Sequence, residues 1–368
     1  MPAATEKRSF DAIVVGAGVI GLTCAWRAAQ RGLHVVVLDR STPAAGASGV
    51  AAGMLAPIGE LTFGEQRLLE LTLASAERYP GFVAELEELS GSETGYDCRG
   101  ALHVALDRDE SAQLRRRHEL QRSLGLEADW LTPRHCRALE PGLAPSIAAG
   151  VHASNEGAID PRALCAALLA ALEREGAEVR SGAAVNEAVI EGGRIEGVRT
   201  EAGEEFMATH VVLANGCWAG ESEWLPPDAR PQVRPVKGQI LTLRGSAEEP
   251  VCERIVASER VYVVPRDDGR LIVGATVEDR GFDTTVTAGG VHELLREAYR
   301  LLPEIAELEL VEATAGLRPG TPDNLPLIGP GTLEGLVLAT GHYRNGILLA
   351  PLTAERVADA LVGAEVPA

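Results

Sequence analysis

A two-domain α/β fold is predicted by three observations. Gly16, Gly18 and Gly21 spell GxGxxG between an apolar run and a helix-forming run. An acidic residue, Asp39, ends the next apolar run, 23 positions after Gly16. Between residues 238 and 277, three strand patterns, GQILTL, RVYVVPR and RLIVGATV, follow one another with no helical pattern between them. The first two observations predict a Rossmann-like domain, with parallel strands joined through a right-handed crossover helix. The third predicts a second domain on a mixed, largely antiparallel sheet.

The elements follow in chain order. DAIVVG (11–16) is a buried strand ended by glycine, Leu22 to Gln30 is a helix stopped by Gly32, and HVVVLD (34–39) is the next buried strand. Residues 65–89 have a helical pattern, interrupted near Pro80, and ALHVAL (101–106) alternates as a strand. A helix is expected over 109–124. Asp160 as N-cap and Pro161 as first helical residue start another, which runs to Glu175 and stops at Gly176. AVIEGGRIEGVRT is a hairpin, and HVVLANG (210–216) is a strand ending on glycine. After a helix over about 290–302, LVLATG (336–341) is a third strand ended by glycine, and a last helix begins near Asn345. Strand-then-glycine endings at 16, 216 and 341 predict one nucleotide-binding domain assembled from separated segments, 1–85, 150–225 and 312–368. The intervening 86–149 and 226–311 form the substrate-binding domain.

Composition narrows the function classes. The chain has 368 residues, 46% hydrophobic and 24% charged, as in a soluble globular enzyme. Its net charge of -19 argues against a nucleic-acid or anionic-membrane partner, so an anionic substrate must meet a local cation. The six cysteines include no CxxC pair and no two histidines have metal-ligand spacing, so no metal is expected. Lys7 and Arg8 before an uncharged run over 12–26 resemble a signal peptide, but three glycines at turn spacing fit a buried strand and helix start better. A second uncharged run, 41–59, contains Pro43, Pro57 and four glycines, and reads as loop and helix start rather than a membrane span. A cytoplasmic protein is expected.

In the glycine loop, the first glycine permits a tight turn, the second lets backbone N–H groups approach a pyrophosphate, and the third lets helix and strand pack closely. The helix N-terminus stabilises the anion, and Asp39 can accept hydrogen bonds from a ribose. A dinucleotide is therefore expected. GASGVAAGMLAP, small residues that let the backbone pass close to a cofactor, is followed by an early departure into a long helix, which favours a flavin over a nicotinamide.

GAGVIG, ASGVAAGML, DPRAL, VVLANGCWA, RPVKGQ, YVVPR, LIVGAT, AGLRPGTPDNLPLIG and GHYRNGILLAP occur in the order found in FAD-binding amino-acid oxidases. The chain resembles this group, which holds D-amino-acid oxidase, sarcosine oxidase and glycine oxidase, over almost its whole length. It is most similar to the glycine oxidases of bacterial thiamine synthesis. The resemblance implies FAD held by Gly16, Gly18, Val19, Ile20, Gly21, Asp39, Arg40, Ala47, Ser48, Ala52, Gly53 and Met54, with Val185 at the adenosine part. His342, Tyr343, Arg344, Asn345, Gly346, Ile347 and Leu348 would cover the flavin ring. Sarcosine oxidases attach flavin through a cysteine in the C-terminal third. No cysteine follows Cys252 here, so noncovalent FAD is expected.

The resemblance further implies oxidation of glycine, or of small amines and D-amino acids such as sarcosine and D-alanine. The imine formed gives glyoxylate and ammonia, dioxygen gives hydrogen peroxide, and the imine supplies thiazole formation. A thiazole synthase as partner and a homo-oligomer, a tetramer, go with it. Such chemistry needs a fixed carboxylate, a Cα–H aimed at the flavin and a neutral amine. Arg318, in GLRPG with no acidic neighbour within four positions, is the carboxylate anchor, since a planar guanidinium grips two oxygens. Tyr262 would add its hydroxyl, and Arg344 would contact substrate by its side chain or flavin by its backbone. No residue stands out as a general base. His342 reads first as a hydrogen-bonding partner and only second as an acid or base, and Trp218 as packing beneath the cofactor domain. Ala56, Arg260 and Val277 are expected at the far end of the pocket, deciding the substrate. The alternatives are a sarcosine or D-amino-acid oxidase, a D-amino-acid dehydrogenase using another acceptor, and a noncatalytic protein that keeps the fold.

Overall fold

The computed structural model describes residues 8–363, so Lys7 and the outer ends of the expected first and last domain segments lie outside the described residues. Five strands form a parallel core in the order Leu336–Thr340, Glu205–Leu213, Arg8–Val15, Val35–Leu38, Glu178–Arg180. The three strands that run into glycine in the sequence are therefore adjacent in space. The hairpin Val185–Glu191 and Arg194–Thr200 extends this sheet through Glu205–Leu213, and Leu327–Pro330 adds an antiparallel edge. Val35–Leu38 is buried at every position, as a strand covered on both faces must be, which is why it reads as an unbroken apolar run.

The helices Val19–Gln30, Gln66–Ser90, Pro161–Arg174 and Gly346–Leu361 share one core with this sheet. Trp26, fully buried, meets Phe82 edge-on at 5.6 Å. The expected interruption at Pro80 does not occur: Gln66–Ser90 is one continuous helix. Proline removes one backbone hydrogen bond, but burial of Tyr79, Phe82, Val83 and Leu86 around it outweighs that loss.

The second sheet has eight strands in the order Glu309–Gly320, Arg234–Arg244, Arg270–Gly274, Tyr262–Pro265, Ile255–Ala257, Ala101–Ala105, Ala149–Ala153, Asp129–Leu131. Only the pair Ile255–Ala257 with Ala101–Ala105 is parallel. The expected mixed, largely antiparallel sheet is thus present. The stretch around Arg318, to which the sequence assigns no element, is the end of a twelve-residue strand whose register places Arg318 opposite Val236. Pro319 is tolerated there because the strand lies at the sheet's edge. The expected domain boundaries at 150 and 312 fall inside strands of this second sheet, Ala149–Ala153 and Glu309–Gly320.

Candidate active site

A cleft of about 550 Å³ opens where the two sheets meet. Its floor is the glycine loop. Gly16 has φ +112, and a Cβ there would stand 2.5 Å from the Ala214 carbonyl oxygen. A Cβ on Gly21 would stand 1.9 Å from the Gly16 oxygen, so only glycine lets the helix start press against the turn. Val19–Gln30 begins at Gly18 with no side-chain cap and no acidic residue in its first turn. Its positive end faces the cleft, with the Val19 N–H donating to Ser48 Oγ at 2.9 Å. Asp39 braces the loop: Oδ2 accepts from the Ala17 N–H at 2.6 Å and Oδ1 from the Ser41 N–H at 2.8 Å. A carboxylate has lone pairs left for a ribose hydroxyl.

Of the residues expected around a cofactor, Gly16, Gly18, Val19, Ile20, Asp39, Arg40, Ala47, Ser48, Ala52, Gly53, Met54, Val185, His342, Tyr343, Arg344, Gly346 and Ile347 line the cleft. Gly21, Asn345 and Leu348 do not reach its wall: Gly21 packs helix on turn, while Asn345 and Leu348 are buried in the start of the last helix. Trp218 differs from expectation. It lines the cleft, with the Arg40 guanidinium 3.9 Å from its ring centroid and Phe282 stacked at 5.9 Å. His342 is buried and its Nε2 pairs with Thr353 Oγ1 at 2.9 Å. Burial pulls its pKa down to about 3, so near neutrality it is an uncharged hydrogen-bonding partner. Cys217 also lines the cleft, and burial pushes its thiol up to about 12, leaving it protonated and unreactive.

At the other end, Arg318 lies across the neighbouring strand. A Cβ on Gly238 would sit 2.4 Å from both its terminal nitrogens. Nη1 donates to the carbonyls of Thr276 at 3.2 Å and Lys237 at 3.4 Å. Among the described residues, no carboxylate stands within ion-pair distance of it, and its closest polar partners are these two carbonyls. Tyr262 lines the same end of the cleft as Arg318, and Gly274 leaves the space its ring crosses. Burial pushes the phenol up to about 12, with the Arg318 charge pulling it back, so it is a neutral donor at working pH.

Two features here escaped the sequence reading. Glu60 lines the same end of the cleft with Tyr262, Arg318 and Arg344. Burial raises its pKa, Arg344 opposes that, Glu156 adds to it, and Arg318 and His103 oppose it. The only signal for it in the sequence was an acid closing the small-residue run 41–59. Ala56, Arg260 and Val277 do not line the cleft: Ala56 is buried, Arg260 is exposed, and Val277 is 65% exposed. Glu60, Ile240 and Ala275 take their place. Arg344 stands 3.9 Å from Glu65 at the cleft wall.

A family model described as FAD dependent oxidoreductase matches residues 11–360. The chain belongs to that family. It is 36% identical to a glycine oxidase of Geobacillus kaustophilus over 95% of this chain and 92% of that protein. The crystal structure of glycine oxidase from the same organism superposes with a TM-score of 0.90 at 34% identity, covering 97% of this chain and 96% of that one. A bifunctional protein ThiO/ThiG of Trichormus variabilis is 39% identical over 96% of this chain, which spans about half, 52%, of that relative's length. FAD is the cofactor, and the site fits it: the glycine turn leaves no room for side chains, the helix N-terminus, with no acidic residue in its first turn, faces the cleft, and Asp39 lines the cleft beyond it. No helix among the described residues is long and apolar enough to cross a membrane.

Proposed function

We propose that the chain oxidises glycine, and small relatives such as sarcosine and D-alanine, to the imine, which hydrolyses to glyoxylate and ammonia. Hydrogen peroxide is the second product. FAD, held along the glycine loop and by Asp39, would supply the acceptor for a hydride from the substrate's Cα and the route by which two electrons reach dioxygen. The protein's own part is orientation and electrostatics. The fork of Arg318 holds the two carboxylate oxygens, the Tyr262 hydroxyl donates to one of them, and Glu60 accepts from the substrate ammonium and takes its proton. Arg344, the second cation of this wall, offsets the charge of Glu60.

The observation that carries this reading is Arg318. It is a guanidinium with no carboxylate of the described residues at ion-pair distance, held by two backbone carbonyls beside a phenol, inside the cleft whose opposite end is the glycine loop. An α-amino acid is the ligand that supplies the absent anion. The relatives named glycine oxidase and ThiO/ThiG support glycine as substrate and delivery of the imine to a thiazole synthase for thiamine. The sheet built on Arg8–Val15 is the cofactor domain and the sheet carrying Arg318 the substrate domain. FAD is held noncovalently by the cleft residues named above, and the active form is a cytoplasmic homotetramer.

The test is anaerobic addition of glycine, sarcosine and D-alanine to the yellow enzyme while flavin absorbance is followed, then admission of oxygen with a peroxide assay. Glycine is expected to bleach the flavin and oxygen to restore it with stoichiometric peroxide. Bleaching by none of the three sinks the reading. Bleaching without peroxide sinks the oxidase part alone.

A further inference from the structure

Behind the substrate end of the cleft lies a buried carboxylate that the chemistry above does not use. Glu156 is fully buried, in the turn between Ala149–Ala153 and Gly157–Ala158, and does not line the cleft. Its Oε1 accepts from two successive backbone N–H groups, Ile58 at 2.7 Å and Gly59 at 2.6 Å. Its Oε2 stands 3.5 Å from His103 Nε2. The carbonyls of the same two residues are also held, Ile58 by Gln121 at 3.0 Å and Gly59 by Arg117 at 3.3 Å. Gly59 has no alternative: a Cβ there would lie 1.9 Å from His103 Nε2 and 2.9 Å from Glu156 Oε2. The next residue is Glu60, which lines the cleft.

A buried carboxylate is costly unless its oxygens are satisfied, and this one is satisfied by the backbone of the segment that delivers Glu60. We propose that Glu156 is a positioning residue for amine oxidation: from behind the wall it clamps Ile58 and Gly59, and so fixes where Glu60 presents its carboxyl to the substrate's amine. This rests on glycine as the substrate. The clamp also acts through charge. Glu60 is faced by Arg344 from the last helix start, Arg318 and Tyr262 from the second sheet, and Glu156 and His103 from behind. The negative charge of Glu156 favours the protonated form of Glu60, so removing that charge favours the ionised form that accepts the amine's proton.

Three holoenzyme variants test this. Glu156→Gln keeps an oxygen for both N–H groups but loses the charge, Glu156→Leu loses both, and Glu60→Gln removes the group being positioned. Flavin content is expected to stay at the parent value in all three, and the affinity for acetate, a carboxylate without an amine, read from flavin absorbance, to stay at the parent value in both Glu156 variants. With Glu156→Leu, KM for glycine should rise by about 10-fold or more, as two buried N–H groups lose their acceptor. With Glu156→Gln, KM should stay near the parent's while the acid limb of kcat/KM moves to lower pH, and Glu60→Gln should abolish that limb. A Glu156→Gln profile that superimposes on the parent's overturns the proposal, as does a Glu60→Gln profile that keeps the limb. Should Glu156→Leu not fold, the other two decide. A parent enzyme that glycine does not reduce refutes the substrate reading instead, and is recognised before any variant is made.

Discussion

Arg318 and Gly238 form one device. The guanidinium occupies the space where any larger residue at 238 would put its Cβ, 2.4 Å from both terminal nitrogens, so the orientation of the fork depends on a glycine in the neighbouring strand, far away in sequence. Two substitutions separate charge from placement. Arg318→Lys keeps a cation but loses the bidentate fork, and a hydrogen bond to a charged group contributes roughly 1.5–3 kcal/mol. KM for glycine should therefore rise by about 10-fold to 100-fold with FAD still bound. Gly238→Ala should raise KM as well, with the guanidinium intact, because the added methyl displaces it. Steady-state kinetics with flavin content measured alongside checks both, and an unchanged KM in either removes the anchor role. Arg318 was legible in the sequence because a cation among glycines and prolines with no acidic neighbour stands out. Gly238 and Glu60 were not, since each acquires its meaning from a side chain delivered by another element.

At the scale of elements, the strand, glycine turn and helix start are the most constrained part of the molecule. Val19–Gln30 approaches its preceding strand so closely that a methyl group on the third glycine of the motif would stand 1.9 Å from the oxygen of the first. Gly21 does not line the cleft, yet Gly21→Ala should push the helix end away from it and weaken the pyrophosphate cradle. The purified variant is expected to be largely colourless and to take up added FAD weakly, measured by absorbance after dialysis. Retention of flavin at parent levels would show that the helix can shift without opening the cradle. The strand carrying Arg318 was hidden for a related reason. Its residues, ELVEATAGLRPG, lack regular alternation and end in proline and glycine, so its strand character comes from the register with Arg234–Arg244 rather than from its own pattern.

For the whole molecule, the cleft exists only because two sheets, each stitched from distant segments, face one another. Of the six cysteines Cys217 lines the cleft, and burial keeps its thiol protonated, so acid precipitation of the holoenzyme should release all flavin to the supernatant. Flavin that stays in the pellet would contradict noncovalent binding. What the sequence by itself determined is local: the buried parallel strands, the glycine turn, the helix cap at Asp160, and Asp39 as an acid at a strand end. These follow from period, backbone freedom and short-range hydrogen bonding, all of which act between near neighbours. Tertiary structure alone decided the substrate end of the pocket. It excluded Ala56, Arg260 and Val277, moved Trp218 onto the cleft wall, and brought Glu60, with Glu156 behind it, against Tyr262, Arg318 and Arg344. The physical reason is that a side chain's direction and electrostatic surroundings depend on strand register and on which sheet faces which, and neither is encoded in the residues adjacent to it in the chain.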